Sequence, residues 1–374
     1  MLDFIRRMRR GGHLLMRLGL LLILVACGRA AGSQERFQAT VGPESTSPTP
    51  QVTPSPAVTA VALSGGAGGI GFDDLGYDAT RGKVLVPAGR TGNLDLIDPK
   101  TLAVAAIGGF SAQPRFTGGH DVGPTSADAG RGFLFVVDRT ARRLAVVDSV
   151  TPTIVSTATL ASSPDYVRYV ATTDEVWVTE PDHEQIEVFA LSTEDPPALT
   201  AVSVIPVPGG PESLIIDHTR GRAYTHLWAG QTVAIGITRH TILGRWPNGC
   251  TSSRGIALDE QRGFLFVGCA EGRAVVLDLT HEGRQLASLQ AGAGVDVISY
   301  SPTLGHLYLQ GAESATLAIL GISAAGHLSL LGTIPTVAGA HCVTADDRGN
   351  SWVCDPDHGQ ILRIVDPFPP EGKE

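Results

Sequence analysis

GIALDEQRGFLFVGCAEGRAVVLDL, residues Gly255 to Leu279, is the stretch whose reading decides the fold. An apolar strand closes on Asp259, the chain turns tightly at Arg262-Gly263, a second strand runs to Cys269, and a short turn leads into a third strand. A fourth follows at Arg284 to Leu289. The same order returns at Phe72 to Ile107, Thr125 to Leu160 and Glu212 to Trp246, and in a more worn form at Asp165 to Ile205, Asp296 to Ile334 and His341 to Asp366. Turn glycines mark six copies, at Gly82, Gly132, Gly221, Gly263, Gly305 and Gly349; only the third copy, with Thr173-Asp174 at its turn, lacks one. A repeat of about 40 to 50 residues is the signature of a repeat architecture and must be read before any single residue. β-Branched and apolar strands with Gly or Asp turns, and no apolar run at helical spacing, exclude alternating β and α units. Four antiparallel strands at this period predict an all-β, seven-bladed propeller.

The last copy is one strand short. After its third strand, Gln360 to Val365, the chain meets Pro367, Pro369 and Pro370. A spare β-type segment, Ala57 to Leu63, precedes the first copy and is expected to supply the missing outer strand, closing the ring and protecting an otherwise unpaired edge.

Upstream, Arg6, Arg7, Arg9, Arg10 and Arg17 flank or precede a short apolar core, Leu18 to Val25, followed by Cys27. That core is shorter than the roughly 20 residues a membrane-crossing helix needs, so residues 1–26 read as a signal peptide. Leu24-Val25-Ala26-Cys27 resembles the lipobox of bacterial lipoproteins, which implies lipidation at Cys27. Residues 27–56 carry Pro43, Pro48, Pro50, Pro54 and Pro56 among Ser and Thr, a composition that cannot build a core and reads as a tether. The organisation expected is therefore signal peptide 1–26, lipidated tether 27–56, propeller 57–369 and tail 370–374, held by a lipid on the extracytoplasmic side of a bacterial cell envelope.

The chain's formal charge is −9, and Met1 to Ala26 holds five Arg against one Asp, so the remainder is more acidic still. Without a basic face to release counterions, nucleic acid is a poor partner; the one close group of cations outside the leader is Arg139, Arg142 and Arg143. Beyond Cys27 four cysteines remain, an even number that favours disulfides in an exported chain. Folding the seventh copy about Asp347 to Gly349 places Cys342 opposite Cys354, and Cys250 with Cys269 flanks the equivalent hairpin of the fifth; these two pairs are preferred among three connectivities. The spacings do not match haem attachment or a zinc pattern.

In a propeller the first strand of each blade lines the central channel. Counting back five positions from the residue that closes each first strand gives Asp73, Gly123, Asp165, Glu212, Arg254, Asp296 and His341. His120 and Asp121 stand just ahead of Gly123 and are placed to fill its gap. The carboxylates Asp73, Asp165, Glu212 and Asp296 could ligate Ca²⁺ or Mg²⁺, with His341 as acid or base and Arg254 for an anionic substrate group. The plainer reading is a polar lining for a water-filled channel. Two loops share a motif, Glu180-Pro181-Asp182-His183 and Asp355-Pro356-Asp357-His358, and Trp228 occupies the equivalent loop of the fourth blade. Asp182, His183, Trp228, Asp357 and His358 are thus candidate recognition residues, although Asp-containing tight turns are also ordinary turn chemistry. Gly65 to Gly69 lacks the Lys and helix of a phosphate loop and reads as a hinge; no nucleophile elbow or His-Glu-x-x-His pair is present.

The segments Pro211-Glu212-Ser213-Leu214, Arg254-Gly255-Ile256-Ala257, the Arg-Gly-Phe-Leu-Phe-Val runs at Arg131 and Arg262, and Leu144-Ala145-Val146-Val147-Asp148 resemble the YVTN-type, YncE-like propeller family. The resemblance runs from about Ala57 onward and implies an exported binding or surface protein with no assigned reaction. Related gluconolactonase-like and streptogramin-lyase-like propellers are metal-dependent enzymes, whose ligand sets are not matched residue by residue here. The expected function is ligand or protein binding through the channel face, with a Ca²⁺- or Mg²⁺-dependent hydrolase or lyase as the alternative.

Overall fold

The computed structural model describes residues 57–370; the expected signal segment, Cys27, the tether and the last four residues lie outside the described residues. Seven four-stranded antiparallel sheets stand in a ring. Blade five, which contains Gly255 to Leu279, comprises Ser253–Asp259, Phe264–Cys269, Arg273–Asp278 and Arg284–Gln290, in that order from the channel outward. Blade seven joins Val343–Ala345, Asn350–Asp355 and Gln360–Val365 to the N-terminal strand Val58–Ala62. That last pairing is antiparallel, from Val58 opposite Ile364 to Ala62 opposite Gln360, so the spare strand closes the ring as its position implied. No helix among the described residues is long and apolar enough to cross a membrane.

Alternation of side chains along a strand explains why the second and third strands read as unbroken apolar runs. Each blade is sandwiched between two others, so both of its faces are buried and odd and even residues serve different interfaces. In blade five, Phe264 and Phe266 pack toward blade six while Leu265 and Val267 pack toward blade four. In blade three, Trp177 faces blade four while Val176 and Val178 face blade two. The core is accordingly a set of seven inter-blade clusters, one per seam, including the seam of blades one and seven where Val61 packs with Phe72, Val86, Trp352 and Ile361.

The strand-closing Asp has a local job. Asp259 Oδ1 accepts from Arg262 N at 2.9 Å, and Asp217 Oδ1 from Arg220 N at 2.9 Å, fixing the turn that follows. The turn glycine after it is left-handed, with φ +73° at Gly263. Blade three reaches the same conformation without glycine, because Asp174 sits at φ +52°, a region Asp and Asn tolerate better than other side chains. The Gly65 to Gly69 segment, expected to be a hinge, is held by the buried Arg90, whose Nε donates to Gly69 O at 2.5 Å and Nη2 to Ala67 O at 2.9 Å and Gly65 O at 3.1 Å.

Both preferred disulfides are present, Cys250 with Cys269 and Cys342 with Cys354, a pairing consistent with an oxidising, extracytoplasmic setting. Each ties the start of an inner strand to the end of its neighbour beside the channel mouth. Replacing Cys342 and Cys354 together by Ala is expected to lower stability by roughly 3 kcal/mol, the chain-entropy value for a short loop. Urea unfolding of the variant checks this, and an unchanged midpoint would contradict it.

Candidate functional site at the channel mouth

The inner strands converge so that residues at or just before their starts meet at one end of the channel. There, Asp73, Asp165, Glu212, Arg254 and Asp296 line a cavity of about 340 Å³ together with His120, Arg139, Tyr166, Asp182 and Trp228. His341 lies on an adjoining depression of about 600 Å³ that shares His120, Arg254 and Asp296 and reaches Asp357 and Phe116. The ring positions deduced from the repeat are thus brought together at one mouth. Gly123 is the exception in chemistry: it has φ +72°, and a Cβ there would lie 2.2 Å from Gly89 O, so backbone crowding demands glycine. His120 reaches the mouth from the preceding segment, while Asp121 stays 85% exposed at the rim.

Arg139, seen in the sequence only as part of a basic group, is the centre of the site. Its guanidinium is about 10% exposed; Nη2 donates to Asp73 Oδ2 at 2.9 Å and to Asp165 Oδ1, and Nε donates to Pro164 O at 2.9 Å. A second cluster stands opposite. Arg254 Nη1 donates to Glu212 Oε1 at 2.6 Å, Trp228 Nε1 donates to Glu212 Oε2, and the Arg254 guanidinium lies 4.8 Å from the centre of the Trp228 ring. Arg139 and Trp228 each come one residue after the end of a second strand, Phe133–Asp138 and Arg222–Leu227. Aligning the blades at that position, rather than only at the first strand, would have revealed Arg139.

His341 is held by Gly339 O at 2.8 Å from Nδ1 and Phe72 O at 2.9 Å from Nε2. A carbonyl oxygen only accepts, so both ring nitrogens must donate and the ring is imidazolium. Burial alone would lower its pKa, but Asp296, the Gly339 carbonyl and Asp73 together raise it. His120, its ring centre 5.3 Å away, is driven the other way by burial, Arg139 and His341, and is neutral. Burial pushes Asp73 and Asp165 up to about 7 against the opposing pull of Arg139. Burial, with Asp165 adding to it, pushes Glu212 up to about 9 against Arg254.

These shifts fix a pH dependence. A carboxyl whose folded-state pKa exceeds its unfolded one binds its proton more tightly when folded, so its stabilisation is complete below the unfolded value and is lost as pH rises through the folded one. For Glu212 the window runs from the ordinary 4.5 to about 9, and for Asp73 and Asp165 from 3.8 to about 7. Stability is therefore expected to fall from pH 5 toward pH 9, and Glu212→Gln, which cannot ionise and keeps one oxygen to accept from either Arg254 or Trp228, should flatten the slope above pH 7. Urea midpoints across that range read the effect directly; equal slopes in the two proteins would contradict it.

The proposed recognition loops do lie on this face, but unequally. Asp182 lines the first cavity and Asp357 the second, and Trp228 is 52% exposed at the mouth. His183 is exposed outside both cavities, and His358 turns back onto Asp355, with Nδ1 2.9 Å from Oδ1, which is turn chemistry. Sequence reasoning also missed Tyr166, next to the ring residue Asp165, which is 6% exposed and lines both the mouth and a lower cavity of about 200 Å³. A tyrosine beside a strand start carries no signal that separates core from channel.

The donor set fits a divalent cation poorly. Arg139 occupies the space between Asp73 and Asp165, and Arg254 with Trp228 takes both oxygens of Glu212. Among the described residues, the groups whose ligand atoms gather within 4.8 Å are His341 with Cys342 and Cys354, and Glu271 with Cys250 and Cys269; their sulfurs are committed to disulfides.

No protein-family model matches the chain, and no curated protein sequence matches it. Solved structures do. A chain of the mitotic checkpoint complex is 11% identical at a TM-score of 0.68, over 89% of this chain and 98% of that one. U3-55K is 12% identical at 0.66, over 82% and 98%. A chain of hydrazine synthase from Kuenenia stuttgartiensis is 12% identical at 0.64, over 80% and 96%. At such identities the likeness establishes the seven-bladed fold alone.

Proposed function

We propose that this chain is a lipid-anchored, extracytoplasmic propeller of the YVTN, YncE-like type that binds a ligand or partner protein on its channel-mouth face. The observation that carries the reading is the mutual engagement of the mouth's charges: Arg139 holds Asp73 and Asp165, and Arg254 with Trp228 holds Glu212. Groups so engaged build a shaped, polar recognition surface; they leave no open ligand set and no nucleophile beside a free base. The two disulfides and the lipobox-like Leu24-Val25-Ala26-Cys27 support the location, and likeness to chains from large assemblies suits a protein partner.

The alternative, a Ca²⁺- or Mg²⁺-dependent hydrolase or lyase, draws support from Glu212, whose carboxyl burial pushes up against the pull of Arg254 and which could serve as an acid. One experiment separates the two. Purified without chelator, the protein is expected to carry no stoichiometric metal and to melt at the same temperature with Ca²⁺, Mg²⁺ or EDTA, since a ligand bound only to the folded state must raise its stability. Bound metal that disappears in Asp165→Asn/Glu212→Gln, together with metal-dependent turnover, would overturn the binding reading. For the anchor, Cys27→Ser should move the protein from the detergent phase to the aqueous phase on phase partitioning; an unchanged distribution would remove the lipid.

A further inference from the structure

Asp296 differs from every other acid of the ring. Among the described residues it makes no ion pair and no side-chain hydrogen bond, although it stands on the wall shared by the two upper cavities. His341 and Arg254 are near enough to feel its charge, yet neither approaches within the 4.0 Å of a salt bridge. Tyr166, which lines the same cavity, is nine-tenths buried, and its hydroxyl has no hydrogen-bond partner among the described residues. The hydroxyl opens on the cavity, where a ligand group can take the place of water.

The surroundings define what that something is. The cations of the mouth are each already engaged, Arg139 by Asp73 and Asp165, Arg254 by Glu212 and the His341 ring by two backbone carbonyls, whereas the exposed rim residues are acidic: Asp121, Asp182, Glu313 and Asp357. Trp228 offers an apolar surface beside them.

We propose that the channel mouth binds an ammonium or guanidinium group of a partner peptide, a lysyl or arginyl side chain, with Asp296 as its ion-pairing carboxylate and the Tyr166 hydroxyl accepting one of its N–H groups. The aliphatic stem lies along Trp228, and the acidic rim steers the cation inward. Burial and the surrounding carboxylates hold the Tyr166 phenol far above its ordinary pKa, so it stays a neutral acceptor. This rests on the binding reading above and names its ligand class.

The test is calorimetry on the full-length chain with N-acetyl-Lys-Lys-Lys-amide, with N-acetyl-Glu-Glu-Glu-amide as the opposite charge. The lysine peptide should bind at one site. Asp296→Asn should weaken it at least about thirtyfold, the scale for removing one member of a desolvated charge pair, and Tyr166→Phe about tenfold, for a single hydrogen bond from a charged donor. Glu194→Gln, an equal loss of charge in the exposed turn at the far end of blade three, should leave affinity unchanged. Both substitutions at the site remove groups without partners, so the variants should fold, which unfolding midpoints will verify. Absence of lysine-peptide binding, or affinity equal in wild type, Asp296→Asn and Tyr166→Phe, overturns the proposal. A mouth selective for the glutamate peptide overturns the cationic class and leaves the binding reading standing; that reading falls instead by the metal and turnover measurements.

Discussion

Arg139→Gln should cost about 3–5 kcal/mol of folding stability, the range for removing one partner of a buried ion pair. The side chain is about 10% exposed and its counter-charges, Asp73 and Asp165, are 7% and 14% exposed, so little solvent is available to take over its role. Without the guanidinium, two carboxylates face one another in a poorly hydrated site, and the chain escapes by protonating them. The loss should therefore be smaller at pH 5 than at pH 8, because folded-state pKa values already near 7 will rise further once Arg139 is gone. Adding Asp73→Asn and Asp165→Asn to Arg139→Gln should recover most of the deficit. Arg284, 61% exposed beside Asp278, is the comparison: Arg284→Gln should change stability by no more than about 1 kcal/mol. Urea unfolding of this series at both pH values decides the matter, and a deficit for Arg139→Gln no larger than that for Arg284→Gln would falsify the central role given to it.

Removing residues up to Leu63 should have the other large effect. Val58–Ala62 supplies the whole outer edge of blade seven, and Val61 and Leu63 belong to the apolar seam between the first and last blades. A chain starting at Ser64 loses that pairing, exposes Gln360–Val365 as an open edge and leaves the ring held at one seam by two incomplete partners. We expect a loss beyond about 4–5 kcal/mol, in the range reserved for breaking a core or a network, together with self-association through the unpaired edge. A chain starting at Ala57 should remain a folded monomer, and a synthetic Ala57 to Leu63 peptide should restore monomeric behaviour to the shorter one. Sedimentation and thermal melting of the two proteins provide the check. A monomeric Ser64 chain with an unchanged melting temperature would show that the ring does not depend on this strand.

The architecture was legible because it is written seven times. Strand order, turn position and the missing strand of the last blade follow from comparing copies, and Asp174 shows how a worn copy keeps the geometry after losing its glycine. The ring of Asp73, Asp165, Glu212, Arg254, Asp296 and His341 was legible for the same reason, since equivalent positions in a closed repeat must share an axis. What joins those residues was not. Arg139 and Asp73 lie in different blades, and their meeting depends on the curvature of the ring and on a loop that reaches across it. The protonated state of His341 was equally hidden, because it comes from two backbone carbonyls, and backbone atoms are the same in every sequence. Likewise, nothing in the letters distinguishes the lone Asp296 from its paired neighbours; a residue without a partner is visible only when all the partners have been placed.

The pairing of Val58 with Ile364 also sets a schedule. The strand that closes the ring leaves the ribosome among the first of the domain, and its partner leaves last, about 300 residues later, which at 5–20 residues per second is a wait of roughly 15 to 60 s. Throughout that interval inner blades can assemble one on another, but the circle cannot shut. Fidelity of folding in this protein is therefore a matter of keeping one short strand uncommitted until its partner arrives, and a chaperone that shields the segment around Val58 would act on the step that completes the molecule.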